Sequence, residues 1–196
     1  MPFPLQRTRR IARTALSAVF AVCVGCAAPT AHHSPASQAE GAGAGMSEPL
    51  RVATFNVSLY DDSAGGLIRR LDAGDDGARR VAAVLQGLRP DLVLLNEFDY
   101  DADGRAADLF QRHYLEVPQP GGGDALHYPY RYIAPVNTGE ASGLDLDGDG
   151  QVGGSGRAYG NDAWGYGQHP GQYGLLVLSR HPIDAGAARS FRLLKW

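Results

Sequence analysis

Cysteine is nearly absent from this chain of 196 residues: the two thiols, Cys23 and Cys26, both lie close to the N-terminus. The remaining body therefore has no disulfide, no thiolate zinc site and no cysteine nucleophile. No internal repeat is visible, and 44% apolar, 20% charged and 9% aromatic residues exclude a collagen-like, coiled-coil or wholly disordered chain. Acidic residues are missing from the first 25 positions, which carry Arg7, Arg9, Arg10 and Arg13. Beyond that point 14 basic residues face 21 acidic ones. So acidic a body binds nucleic acid poorly unless a cation bridges it to phosphate. What is abundant is glycine, 26 residues, with 12 prolines, a share that favours long loops over a helical bundle.

Residues 1–26 read as an export signal, because an arginine-rich start leads into an uncharged stretch, Thr14 to Val24, too short to span a bilayer. The run Cys23-Val24-Gly25-Cys26 resembles a bacterial lipoprotein signal. That resemblance implies lipidation of Cys26 and a membrane anchor, although Cys23 stands where such signals usually carry Leu or Val. The alternative is plain secretion with cleavage after Ala27, and either route takes the protein out of the cytoplasm. Residues 27–50 are Ala, Gly, Ser and Pro with little to bury and read as a tether, on which His32 and His33 are expected to do nothing.

The organised part, 51–196, begins with RVATFNVS, a β-favouring run read as a strand ending near Asn56 to Ser58. A polar loop follows. Val81, Val84, Leu85 and Leu88 then recur at helical spacing, predicting a helix over 77–88 capped by Asp75 or Asp76 and stopped by Pro90. Leu92 to Leu95 is too short an apolar run for a helix and suits a strand buried on both faces. A second helix is expected near 106–113, and further strands at 127–135 and 176–183.

Strand, helix and strand within about fifty residues make a βαβ unit, with parallel and usually neighbouring strands. Asn56 and Glu97, 41 positions apart, then sit at adjacent strand tips, where open α/β sheets bind ligands. A Glu ending a buried strand costs desolvation energy unless it is paired, exposed or bound to a cation. Mg²⁺ uses such a carboxylate together with water and substrate phosphate. For an arbitrary Asn and Glu, the simpler alternative is a turn cap and a solvated side chain.

RVATFNV, then RPDLVLLNEFD, then GQYGLLVLSRHPI resemble in order and spacing the endonuclease/exonuclease/phosphatase superfamily, which includes deoxyribonuclease I-like nucleases. The resemblance implies an α/β fold, a four-layer αββα sandwich with two sheets face to face and helices outside. It also implies metal-dependent hydrolysis of phosphoesters, with Asn56 and Glu97 at the catalytic Mg²⁺ or Mn²⁺; no obligate protein partner is inferred. The family's later Asp-x-Asn and Ser-Asp-His strings do not occur in this sequence. The expectation is therefore a domain interrupted after its first half, ending inside a strand at FRLLKW, with about half a site and little hydrolysis of its own.

Between Val136 and Gln172 lie eleven glycines, an excursion long enough to be either functional or disordered. Within it, Asp145, Asp147 and Asp149 alternate ahead of Gly150 like the first half of a calcium loop, but Gly156 stands where the closing Glu belongs, leaving Asp162 as a more distant candidate. Trp164, Tyr166, His169 and Tyr173 follow on a glycine-rich rim, with His169 and Tyr173 candidates for substrate contact. Arg131 and Arg180 are read as surface or ion-pair arginines with phosphate contact as the alternative, and His127 and His181 as structural. A rival class is a non-catalytic Ca²⁺-binding envelope module.

Overall fold

The computed structural model describes residues 48–193; the segment read as an export signal, with Cys26, and the segment read as a tether, up to residue 47, lie outside them, as do residues 194–196. The strands are β1 (Val52–Leu59), β2 (Leu92–Phe98), β3 (Tyr130–Ile133) and β4 (Leu175–Ser179). They form a mixed four-stranded sheet in the order β1-β2-β4-β3, with β1 parallel to β2 and β4 antiparallel to both of its neighbours. The expected βαβ unit is therefore present, and its register sets Asn56 opposite Asn96.

Alternation along the strands sends Val57, Leu59, Val93, Leu95, Leu176 and Leu178 into the core. β2 is not buried equally on both sides: Val93 and Leu95 are fully enclosed, whereas Leu92 and Leu94 are half-buried on the opposite face. Helices cover the first face, giving two of the four layers among the described residues. β3 is also shorter than the run 127–135 suggested, and of the terminal run 191–193 forms a turn instead of a strand.

The loop expected after β1 contains an additional helix, α1 (Gly66–Ala73), which buries Leu67 and Leu71. α2 (Asp76–Leu88) begins where the Asp75 carboxylate accepts from the Ala78 amide at 2.7 Å. That carboxylate also pairs with Arg70 at 2.7 Å. Burial alone would push Asp75 up, but the amide bond and the Arg70 charge outweigh it and hold the carboxyl below its ordinary value. The helix ends on Arg89, left-handed at φ 48°, just before Pro90. Its core face is Ala78, Val81, Ala82 and Leu85; Val84 and Leu88, expected to complete the stripe, are exposed.

α3 (Arg105–Phe110) runs into one wider π-type turn over Gln111–Leu115 and buries Phe110, Tyr114 and Leu115. The buried amide of Gln86 donates to the Leu115 and Val117 carbonyls at 2.9 and 2.8 Å and accepts from the Gln119 amide at 2.9 Å. These bonds satisfy backbone groups that no strand reaches.

Candidate functional site

The tips of β1 and β2 do not keep regular pairing. Between the pairs Asn56–Asn96 and Leu59–Phe98, two residues of β1 face one of β2. Such a bulge re-aims a side chain, and bulges of this kind are common beside active sites. Unbroken alternation would place Glu97 on the side of Val93 and Leu95, in the core. Instead Phe98 is enclosed there, and Glu97 is half-buried.

The backbone records the detour. Ser58 and Glu97 adopt left-handed conformations, φ 49° and 58°. Each costs about 1–2 kcal/mol for a residue with a Cβ. The result is a convergence around one hydroxyl: Ser58 Oγ lies 3.5 Å from Glu97 Oε2 and 3.4 Å from Asn56 Oδ1, which also accepts the Ser58 amide at 3.2 Å. Asn56 and Glu97 are thus brought to one spot at neighbouring strand tips.

β4 closes the third side. The Phe98 amide donates to Gly174 O at 3.1 Å, which sets Gly174 across from Glu97, and a Cβ at Gly174 would stand 2.7 Å from Phe98 O. Only glycine allows so close an approach. Tyr173 beside it is the third left-handed residue here, φ 57°.

Asp99 joins the two flanks. Its carboxylate accepts from the Asp61 amide at 2.9 Å and the Tyr173 amide at 3.0 Å. Burial pushes this carboxyl above the ordinary aspartate value, against the pull of the two amides and of His169 nearby. A proton is then held more tightly in the folded state, so the stabilisation linked to Asp99 is full below the ordinary aspartate range and is lost as pH rises through the folded value. Asp99→Asn should forfeit one amide bond and flatten that fall, which thermal unfolding between about pH 3 and pH 7 will measure.

His169 is turned inward. Its Nε2 donates to Asp61 O at 3.0 Å and lies 4.0 Å from Asp99. Gln172, fully buried, donates to Asp61 O at 3.0 Å and to Asp62 Oδ1 at 3.2 Å, and Gln168 adds a bond to Asp62 at 2.8 Å. The glycine-rich excursion is therefore fastened to the loop after β1 by side chains more than a hundred residues away. Ser58, Asp62, Asp99 and Gln172 were not singled out in the sequence; the one available signal was that Asp99 directly follows Glu97-Phe98.

Asp145, Asp147 and Asp149 are exposed and bring one oxygen each within 4.8 Å of one another. Asp162 is spent otherwise, accepting the Leu146 and Gly153 amides at 2.7 and 2.6 Å. Arg131 pairs with Asp108, Arg180 with Asp91 at 3.2 Å, and His127 with Glu116 at 2.6 Å. His181 donates its amide to Ser179.

The model of the Endonuclease/Exonuclease/phosphatase family matches residues 53–196. Among solved structures, the endonuclease/exonuclease/phosphatase from Beutenbergia cavernae DSM 12333 is similar to this chain at 23% sequence identity, with a TM-score of 0.29, over 68% of this chain and 26% of that one. The chain thus spans about a quarter of that structure's length. No curated protein matches it.

Proposed function

The chain belongs to the Endonuclease/Exonuclease/phosphatase family, whose members are hydrolases acting on phosphoesters with divalent metals, and on that premise we propose that Glu97 and Asn56 hold the metal of a phosphoester-hydrolysing site. The observation that carries this reading is the bulge with its two left-handed residues, which turns Glu97 out of the core toward Asn56. Strain at two facing residues is retained where an arrangement is needed for more than packing.

The donors fit the ion. A carboxylate and an amide oxygen are hard ligands, suited to Mg²⁺ or Mn²⁺ with water and substrate phosphate completing the shell. Such an ion, when bound, polarises the phosphoryl oxygens and offsets charge on the leaving oxygen. Glu97 contributes the charge and Asn56 a neutral oxygen; the Ser58 amide holds the Asn56 oxygen, and the Ser58 hydroxyl lies within reach of both side chains. Asp99 holds the backbone on either side. In the same reading the N-terminal segment exports the chain, with Cys26 as a lipid anchor site, and phosphoester is the partner.

Titrating Mn²⁺ into the 196-residue chain, followed by electron paramagnetic resonance, tests the proposal. One bound ion that Mg²⁺ displaces, and that Glu97→Gln abolishes while Asp145→Asn leaves it, is the expected result. An ion that leaves with Asp145 instead would support the calcium-module reading, which the convergence of Asp145, Asp147 and Asp149 favours.

A further inference from the structure

We propose that Tyr60, Tyr173 and Tyr166, with Arg157, form a stacking platform beside Glu97 that takes a planar ring carried by the phosphoester. The inference rests on the reading that the phosphate sits at Glu97, and it adds what the rest of the substrate is.

Three segments distant in sequence supply the rings. Tyr60 follows Leu59, the residue paired with Phe98, and Tyr173 precedes Gly174, which lies across from Glu97. Their ring centroids are 4.5 Å apart and the planes tilt by 57°. Tyr166, on the glycine-rich excursion, continues the row at 6.2 Å from Tyr173 and 29° between planes. Arg157 then lies over the Tyr166 ring, 5.9 Å from its centroid.

Two features distinguish this row from loop packing. Tyr166 remains 39% exposed, so a ring in contact with its neighbour still offers surface. Arg157, like eight other described arginines, makes no ion pair among the described residues; what sets it apart is its place over the Tyr166 ring. A guanidinium left on an aromatic ring in an acidic chain is a complement for an anion brought from outside. An aromatic stack beside a cation suits a ligand with a planar ring attached to a phosphate, as in nucleotides and aryl phosphates.

Calorimetric titration of the full chain in Mn²⁺ with thymidine 5′-monophosphate, p-nitrophenyl phosphate and glycerol phosphate tests this. The two ring-bearing phosphates should bind about tenfold tighter than glycerol phosphate, the range of a single stack. The ratio between those two then tells nucleobase from simple aryl. Tyr166→Leu should erase the preference without changing glycerol phosphate binding, Tyr166→Phe should restore it, and Arg157→Gln should weaken the ring-bearing pair. Tyr173→Leu should act like Tyr166→Leu, and if it fails to fold the exposed Tyr166 decides. Equal affinity for all three phosphates, or an equal loss for all three in Tyr166→Leu, overturns the proposal. Failure of the ion reading looks different: Glu97→Gln would then leave Mn²⁺ binding intact while the ring preference persisted.

Discussion

Replacing Glu97 with Asn should raise the melting temperature and remove the bound ion in the same protein. The stability gain follows from the backbone: at φ 58° a Glu sits in the left-handed region, which costs about 1–2 kcal/mol and which Asn tolerates far better. Relief of about 1 kcal/mol corresponds to about 2–4 °C in a domain of this size. The functional loss follows from charge and reach. Altering groups that merely orient metal ligands costs about 10–100-fold in affinity, so loss of the one carboxylate at Asn56 and Ser58 should cost at least about a hundredfold. Glu97→Gln separates the two effects, since it keeps the length and the strain but not the charge; it should lose the ion with no gain in melting temperature. Parallel thermal unfolding and Mn²⁺ titration of both variants provide the check. Wild-type affinity in Glu97→Asn would end the assignment of Glu97 to the ion. A residue whose removal stabilises the fold while abolishing its chemistry is the expected signature of strain kept for function.

Gly139→Ala should destabilise the protein by about 2–5 kcal/mol. Gly139 lies at φ 72°, and a Cβ there would stand 1.8 Å from the carbonyl oxygen of His169. Backbone cannot yield as the end of a side chain can, so the left-handed cost of about 1–2 kcal/mol adds to an overpacking cost of about 1–3 kcal/mol. The peptide of His169 would have to move, and with it the hold on Asp61 and Asp62. Gly143→Ala is the matched control: its φ is 73° but nothing lies within 4 Å of the added carbon. It should lose only the first share. Thermal unfolding of the pair gives the difference, and exchange of the Gly171 amide, bonded to Thr138 O at 3.0 Å, reports whether the excursion has come loose. Equal losses in the two variants would mean that the excursion is not pinned at Gly139.

How much of this was legible depends on whether one strand or two carry the signal. The βαβ unit and α2 were readable because periodicity is local: Val81 and Leu85 mark the core face, and Leu92 to Leu95 mark a strand. α1 was missed because eight residues hold only Leu67, Ile68 and Leu71 against two arginines, between stretches rich in Asp and Gly. The approach of Asn56 to Glu97 was foreseen for the right topological reason. Its actual device was not, because a bulge belongs to the pairing of two strands and no single run of residues announces it. The excursion from Val136 to Gln172 looked either functional or disordered. Its glycines serve close packing at Gly139 and Gly167, whose added Cβ atoms would stand 1.8 and 2.7 Å from backbone. Small size and flexibility are written with the same letter.

The single carboxylate of Asp99, with one oxygen on the segment after β1 and the other on the entry to β4, acts as a common latch for the two segments. Either segment can move away only by giving up its own charge-assisted bond to Asp99, and His169 and Gln172 add direct bonds between the two. Opening at this end of the molecule therefore breaks several bonds at once.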